Sequence, residues 1–302
     1  AKRRYVQISR RSHSDTGISP FGERRMNSPE LQRLPSDCTA NDIIEVNEKY
    51  GGVIVDGWLS DDLLLQFNAE VEPWLAQHEG TNSGSHASDN FLGNKTRRLQ
   101  GLAAKTPTFV DIMIDDRIVG FAETVLAPVG PSIILNNGEV IDIGPGESAQ
   151  PMHRDDDAWN FANATNPLMM NTIAALVDIT PAMGATLVAP GSHRWEHDRV
   201  PTKSEIVTCD LPAGSALFFR GDTLHAGGAN KTTKHRRALS TGICCGWLRP
   251  VENSYTNIPI EVVKVLPRRA QELLGYALYD ASEVGGGYLG YHEMSDPIKL
   301  LT

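Results

Sequence analysis

Short apolar runs separated by turn residues dominate the second half of the chain. The runs cover residues 132–135, 139–143, 172–179, 185–188, 216–220 and 238–245. Glycine and proline stand between them, as in Pro145-Gly146 and Pro190-Gly191, and both residues favour turns over continued strands. Short strands at this cadence are typical of a β-sandwich or a jelly-roll barrel.

Apolar residues recur at helical spacing on both sides of this strand-rich region. The pattern predicts helices at residues 41–48, from Ser60 onward, at 106–126 and, after the strands, at 258–276. A short buried strand is predicted at residues 53–55. The predicted fold class is therefore α+β, with a double-stranded β-helix (jelly-roll) core and helices packed outside it.

Two segments are candidates for covering a site. Residues 79–95 are rich in Gly, Ser, Asn and His, which predicts a long loop. Loops of this length in compact domains are often functional lids, and we place the lid at residues 83–92. Residues 288–294 form a second candidate, which would close over the mouth of a site in the same subunit or in a neighbouring one.

Charge is unevenly distributed along the chain. The 302 residues carry a formal net charge of -9, which argues against nucleic acid and anionic membrane surfaces as partners. Residues 1–35 are the exception, since they hold a charge of +5 and leave -14 for the remainder. We therefore expect a basic N-terminal tail or arm at residues 1–35 and one domain at residues 36–302.

The cysteines and the apolar stretches bear on location. Cys38, Cys209, Cys244 and Cys245 fit neither a disulfide framework nor a zinc signature, so we expect buried free thiols in a reducing compartment. No stretch approaches the ~20 apolar residues that a membrane helix needs. A cytoplasmic protein is the expectation.

The candidate metal ligands are His153, Asp155 and His225. Residues two apart in an extended segment point to the same side, so His153 and Asp155 both reach one ion. His225 follows the predicted strand at 216–220, and a barrel that brings two strand ends together adds it to the pair. Two imidazoles and one carboxylate leave three positions open, which is typical of an iron(II) oxygenase, whereas a structural zinc site closes a tetrahedron. In a chain with nine histidines, His-x-Asp alone also arises by chance.

Further motifs in a fixed order strengthen this signal. They are Gln150-Pro151-Met152-His153-Arg154-Asp155, Gly184-Ala185-Thr186, Gly191-Ser192-His193-Arg194-Trp195, His225-Ala226-Gly227-Gly228, Arg236-Arg237 and Leu273-Leu274-Gly275-Tyr276. On these motifs, the chain from about residue 40 to its end resembles the phytanoyl-CoA dioxygenase superfamily of iron(II)- and 2-oxoglutarate-dependent oxygenases. Within it, the chain is most similar to fungal natural-product tailoring dioxygenases such as fumitremorgin endoperoxidase and the quinolone-alkaloid and meroterpenoid enzymes.

The resemblance implies a cofactor set and a reaction class. It implies that His153, Asp155 and His225 bind iron(II), with 2-oxoglutarate as co-substrate and O2 as oxidant. It also implies a reaction in which a ferryl species abstracts hydrogen from the substrate, leading to hydroxylation, desaturation, epoxidation or rearrangement. In such enzymes the cofactor supplies the difficult chemistry and the protein supplies orientation.

The resemblance also implies residues that bind 2-oxoglutarate. In this family an arginine about eleven residues after the distal histidine pairs with the far carboxylate of the co-substrate, and Arg236 holds that position. A planar guanidinium matches a carboxylate through two hydrogen bonds. Arg237, on the opposite face of the predicted strand, is the alternative if the alignment is shifted by one. Gln150 and Thr186 match polar contacts to the co-substrate, and Arg98 matches a further arginine more loosely.

The substrate is less well defined by the sequence. The candidate pocket residues are Asn136 and Asn137 before the metal motif and Trp159, Phe161 and Met170 after it. The resemblance implies a small, largely apolar natural product as substrate. We also expect a homodimer. The same chemistry on an acyl, amino-acid or peptidyl substrate is the alternative. A catalytically silent, cupin-like binding protein is an alternative of another class.

Overall fold

A seven-stranded sheet is the largest feature of the computed structural model, which describes residues 30–78, 80, 84–160 and 165–302. The strands of these residues are β1 (Arg33–Leu34), β2 (Gly52–Val55), β3 (Thr96–Leu99), β4 (Ile133–Ile143), β5 (Met169–Ala175), β6 (Thr186–Val188), β7 (Val207–Cys209), β8 (Ala216–Arg220), β9 (His225–Ala226), β10 (Arg236–Cys245), β11 (Tyr279–Asp280) and β12 (Tyr288–Leu289). The helices are α1 (Ala40–Tyr50), α2 (Asp61–Leu75), α3 (His86–Leu92), α4 (Leu102–Lys105), α5 (Pro107–Met113), α6 (Asp116–Leu126), α7 (Ser254–Asn257), α8 (Ile260–Val263) and α9 (Arg268–Leu273).

The strands form a mixed α/β architecture with three sheets among the described residues. The large sheet has the order β1-β2-β8-β5-β10-β4-β3 and is antiparallel except for the parallel pair β1–β2. A smaller sheet has the order β7-β6-β9, and β11 pairs with β12.

Two consecutive residues of β8 show how the layers pack. Phe218 is fully buried on the helical side of the large sheet, where its ring lies 5.5 Å from that of Trp58 and 6.1 Å from that of Phe121. The next residue, Phe219, belongs to a second hydrophobic cluster together with Val188 of the small sheet. Because successive strand residues face opposite sides, helices cover one face of the large sheet and the small sheet lies against the other.

The first predicted helix is present with its expected end. The N-cap residue of α1, Thr39, exchanges hydrogen bonds with Asp42 in a capping box. The helix ends at Gly51, which has a φ of 76° that glycine adopts without steric cost. Ser60 caps α2, since its hydroxyl accepts a hydrogen bond from the backbone N–H of Leu63.

Two longer predicted helices are interrupted. The segment 106–126 contains α5 and α6, because the carboxylate of Asp115 caps a new helix by accepting a hydrogen bond from the backbone N–H of Arg117. The segment 258–276 contains the short helices α8 and α9, because Pro267 lacks the backbone N–H that would continue the first of them. In both cases apolar periodicity continues across the break, so the periodicity alone overestimates helix length.

One continuous strand, β4, replaces two strands predicted from the sequence. Leu135 and Asn137 pair with consecutive residues of β10, Ile243 and Gly242, so Asn136 is an extra residue in a β-bulge. Gly242 makes room for this bulge, because a Cβ at that position would lie 2.4 Å from Oδ1 of Asn137. The bulge lets both asparagines line the same cavity.

The remaining predicted segments differ in what the structure describes. The predicted loop at 79–95 contains α3, a helix whose cap Ser85 accepts a hydrogen bond from the backbone N–H of Ser88. Residues 1–29 of the predicted tail lie outside the described residues, whereas Arg33 and Leu34 pair with β2. All four cysteines are buried and free, as expected. Within the described part of the chain, no helix has the length and apolar character to cross a membrane.

Candidate active site

A backbone bridge brings the three candidate metal ligands together. The N–H of His153 donates to the carbonyl of His225 at 2.9 Å, and the N–H of His225 donates to the carbonyl of His153 at 3.0 Å. His225 begins β9, and Asp155 opens a short 3-10 turn over Asp155–Trp159. This pairing explains how residues far apart in sequence meet at one point.

Both imidazoles present the same nitrogen to the centre of the cluster. The Nδ1 atom of His153 lies 2.9 Å from the carbonyl oxygen of Pro151, and that of His225 lies 3.0 Å from the carbonyl oxygen of Thr223. Donation from Nδ1–H to a carbonyl leaves Nε2 with a free lone pair. The two Nε2 atoms lie 3.6 and 3.5 Å from the carboxylate oxygens of Asp155, and the three ligand atoms are within 4.8 Å of one another. This donor set fits one divalent metal ion.

Burial and mutual attraction shift the pKa values of all three groups in the cluster. Burial raises the pKa of Asp155, but the charge of His225, the hydrogen bond to His153 and the amide of Asn171 outweigh burial and hold that pKa well below its ordinary value. Burial lowers the pKa of His225 despite the attraction of Asp155. Burial also lowers the pKa of His153, but the hydrogen bond and the charge of Asp155 outweigh burial and raise it above its ordinary value. The Asp155 carboxylate is therefore ionised near pH 7, and a metal ion would compete with protons for the two imidazoles.

Arg236 is a buried cation that lines the same cavity as the candidate metal ligands. Its side chain is 4% exposed, one guanidinium nitrogen donates to Thr186 Oγ1 at 3.0 Å, and its Nε–H has no partner. Burial, together with the nearby Arg98, lowers the pKa of Arg236 to about 10, so the group remains positively charged at neutral pH. Arg237 points to the other face of the sheet, where it pairs with Glu72 at 2.8 Å. Among the described residues, no carboxylate forms an ion pair with Arg236.

Gln150 and Arg98 line the cavity beside these groups. The Gln150 side chain accepts a hydrogen bond from the Gly227 N–H at 2.9 Å and donates one to the carbonyl of Phe91 at 3.0 Å. Arg98 pairs with the buried carboxylate of Glu139 at 2.6 Å. Gln150 thus connects the metal motif to helix α3 of the predicted lid.

The sequence comparisons identify the family. The model of the phytanoyl-CoA dioxygenase (PhyH) family matches residues 47–238, which is more than half of the chain. The chain belongs to the phytanoyl-CoA dioxygenase family. The resemblance predicted from the sequence motifs is therefore confirmed, and the protein is an oxidoreductase of the dioxygenase class.

Curated relatives and solved structures agree with this family. The dioxygenase FrzG of Cladobotryum sp is 31% identical over 82% of this chain and 88% of its own length. The multifunctional dioxygenase ausE of Penicillium brasilianum is 30% identical over 83% of this chain and 87% of its own length. The structure of the epimerase SnoN in complex with Fe3+, alpha ketoglutarate and nogalamycin RO matches at a TM-score of 0.54 and 23% identity, covering 68% of this chain and 84% of that one. That structural likeness shows a shared fold.

The cavity of this family member has a volume of about 520 Å³. Of the predicted substrate residues, Asn136 and Asn137 line it, whereas Trp159 and Met170 do not. Met169 lines it instead of Met170, because adjacent residues of β5 face opposite sides of the sheet. The indole N–H of Trp159 donates to the carbonyl of Arg249, away from the cavity wall.

The predicted covering segments have different positions in this dioxygenase. Phe161 and Ser83 lie outside the described residues. Phe91 and Leu92 at the end of α3 line the cavity, and the ring of Phe91 packs edge-on against His153 at 4.8 Å between centroids. The segment 288–294 is exposed and contributes nothing to the cavity wall.

Several cavity residues are missed by the sequence analysis. Asn171 donates to the carboxylate of Asp155 at 3.0 Å, and Glu139 and Ser240 lie on neighbouring strands. Each is a polar residue within a buried, mostly apolar strand. That contrast is the signal that would have found them, because a buried polar side chain needs a partner.

The Gly-Ser-His-Arg-Trp motif has a structural position in this family member. Arg154 points away from the metal cluster and donates to the carbonyls of Asp222, His197 and Ser192. The Nε2–H of His193 donates to the carbonyl oxygen of Glu48 at 3.1 Å. These contacts fix the turn beside the site and leave no group of this motif in the cavity wall.

Proposed function

We propose that the protein is an iron(II)- and 2-oxoglutarate-dependent dioxygenase that oxidises a small, largely apolar natural product. His153, Asp155 and His225 hold the iron on one side, and Arg236 and Thr186 hold the far carboxylate of 2-oxoglutarate. Bound iron with 2-oxoglutarate and O2 supplies the oxidation of an unactivated C–H bond, with succinate and CO2 as co-products.

Arg236 is the observation that carries the co-substrate assignment. A buried charge without a counter-charge is costly, so a protein retains one where a ligand supplies the opposite charge. Its guanidinium faces the cavity that also contains the three metal ligands. A dicarboxylic acid is the ligand class that reaches a metal through one end and a guanidinium through the other.

The residues around the metal ligands orient the two histidine rings and exclude water from their sides. Pro151 and Thr223 fix both imidazole rings through their carbonyl groups. Phe91 and Phe219 pack against the two histidine rings, with centroid distances of 4.8 and 4.6 Å. These rings keep water from the sides of the histidines and direct the open face of the cluster into the cavity.

The substrate assignment is supported by the size of the cavity and by its apolar lining. Volumes of roughly 300 to 1,000 Å³ accommodate small organic molecules, and the cavity lies within that range. Apolar side chains of Met169, Val251 and Ala158 form part of its wall. The same chemistry on an acyl, amino-acid or peptidyl substrate is the second candidate. A silent binding protein is disfavoured, because the metal ligands and the buried arginine are all present.

We also propose the finer features of the architecture. The large sheet and the small sheet β7-β6-β9 form the two layers of a jelly-roll, with α1, α2 and α6 outside the large one. Residues 36–302 act as one domain, and residues 1–35 as a basic tail or arm whose last residues join the sheet. A homodimer and a cytoplasmic location remain predictions from the sequence.

The test uses the purified protein without oxygen. Addition of iron(II) and then 2-oxoglutarate is expected to produce a weak visible charge-transfer band, and Asp155→Ala is expected to abolish it. Folded protein that binds iron(II) but gives no band with 2-oxoglutarate would contradict the proposed function. Substrate-dependent succinate release across a panel of natural products and of acyl, amino-acid and peptide compounds then separates the two substrate classes.

A further inference from the structure

A chain of side-chain hydrogen bonds runs along the cavity wall and ends on a candidate metal ligand. The amide of Asn171 donates to Oδ2 of Asp155 at 3.0 Å. The carbonyl oxygen of that amide accepts from the Ser240 hydroxyl at 3.2 Å, and the hydroxyl accepts from the amide of Asn137 at 3.2 Å. These residues belong to β5, β10 and β4, three adjacent strands of the large sheet.

The bulged residue Asn136 supplies the other end of this chain. Its amide donates to Oδ1 of Asn137 at 3.2 Å, and its own Oδ1 accepts from the backbone N–H of Val251 at 2.9 Å. A backbone N–H only donates, and an ionised carboxylate only accepts. The two ends therefore fix the direction of every hydrogen bond between them, including the orientation of all three amides.

We propose that Asn171 is a positioning residue for Asp155 and that Ser240 and Asn137 act through it. The amide of Asn171 holds one carboxylate oxygen and so sets the rotation of the carboxylate toward the metal. Its Oδ1 is held by Ser240, so the amide cannot turn and present oxygen to the carboxylate. This inference rests on the proposed metal site. Hydrogen-bonding partners of metal ligands typically change metal affinity by about 10–100-fold.

Burial makes this arrangement effective. Asn136, Asn137, Asn171 and Ser240 have exposures between 2% and 8%, so water competes little for their hydrogen bonds. A chain in which each member has its partner restricts each member to one rotamer. Gly242 contributes by its lack of a side chain, since a Cβ there would overlap the Asn137 amide.

The experiment measures binding of Co(II) to the metal-free protein under anaerobic conditions, followed by its visible absorption. Asn171→Leu keeps the side-chain volume but removes the donor, and we expect about 10–100-fold weaker binding and an altered spectrum. Ser240→Ala is expected to weaken binding less. The double variant is expected to bind as weakly as Asn171→Leu alone, because Ser240 acts through Asn171.

The matched control is Thr172→Ala, a buried residue on the same strand that faces the opposite side of the sheet. Equal Co(II) affinity and equal spectra for Asn171→Leu and Thr172→Ala would overturn the positioning role. So would additive losses in the double variant. If Asn171→Leu does not fold, Ser240→Ala and Asn137→Ala carry the same comparison. Wild-type protein that fails to bind Co(II), or binds it equally after Asp155→Ala, would instead contradict the proposed metal site.

Discussion

The two faces of strand β10 carry neighbouring arginines in opposite surroundings. On the helical face, Arg237 shares a row across three strands with Asp142 and Arg97, and the row includes an ion pair between Arg97 and the fully buried Asp142. On the cavity face, the hydroxyl of Thr186 is the one side-chain partner of Arg236 in the described part of the chain. Charges on the helical face pair within the protein, and so do Arg98 and Glu139 on the cavity face, whereas Arg236 has no counter-charge among the described residues. The contacts alone therefore distinguish Arg237, whose charge is paired within the protein, from Arg236, whose charge is left for a ligand.

The largest effect is expected on activity, when one histidine from each face is replaced by alanine. His225→Ala removes a proposed metal ligand, and we expect kcat/KM to fall by about 10³-fold or more. His235, whose half-exposed ring lies 3.1 Å from Asp142, serves the helical face. His235→Ala is expected to keep activity within about threefold, since this side chain lies on the face of the sheet away from the cavity. Succinate formation under saturating 2-oxoglutarate measures both, and a comparable loss in the two variants would remove the distinction between the faces.

The second prediction compares alanine substitutions of the two arginines. Arg236→Ala is expected to raise the KM for 2-oxoglutarate by about 10²-fold, because the buried carboxylate of the co-substrate loses its partner. Arg237→Ala is expected to leave that KM unchanged and to lower the free energy of unfolding by about 1–3 kcal/mol, because Asp142 loses a neighbouring charge. Steady-state kinetics and urea unfolding measure the two effects. A raised KM in Arg237→Ala alone would reverse the assignment of the faces.

The smallest expected effect concerns His193, which lies outside both faces. Burial, followed by the charge of Arg220, lowers the pKa of His193 to about 4. In the unfolded chain the imidazole binds a proton near pH 6.5, whereas in the folded chain it stays neutral until about pH 4. Stability is therefore lost as the pH falls from 6.5 to 4. His193→Gln is expected to reduce the loss between pH 7 and 5 by about 1 kcal/mol, measured by urea unfolding. An identical loss in both proteins would show that His193 is protonated in the fold.

The candidate metal ligands can be predicted from the sequence because most of the motif is local. His153 and Asp155 are two residues apart, and His225 follows a strand whose predicted limits, 216–220, match β8. The choice between Arg236 and Arg237 stayed open, because strand alternation gives two faces without saying which one meets the cavity. The structure places Arg236 in the cavity beside Thr186 and pairs Arg237 with Glu72 on the other face, which favours Arg236 as the co-substrate residue.

The cavity wall was less predictable, because it depends on register between distant strands. The sequence predicts Met170 as a cavity residue, but Met169 lines the cavity, because a shift of one residue along a strand reaches the opposite face. Asn171 was missed because its relation to Asp155 follows from pairing among β4, β10 and β5. The bulge at Asn136 has no signature in the sequence beyond Gly138, two residues later, and Gly242 on the opposite strand.

The hydrogen-bond chain begins at the backbone N–H of Val251, so it does not depend on the side chain at that position. The N–H of Val251 is present whichever side chain the position carries, with proline the sole exception. Val251 and Ala158 line the cavity and contribute no side-chain atom to the chain. Substitutions at these positions change the shape of the cavity and leave the hydrogen bonds that hold Asp155 in place. A directed search for new substrates should therefore begin at these two positions.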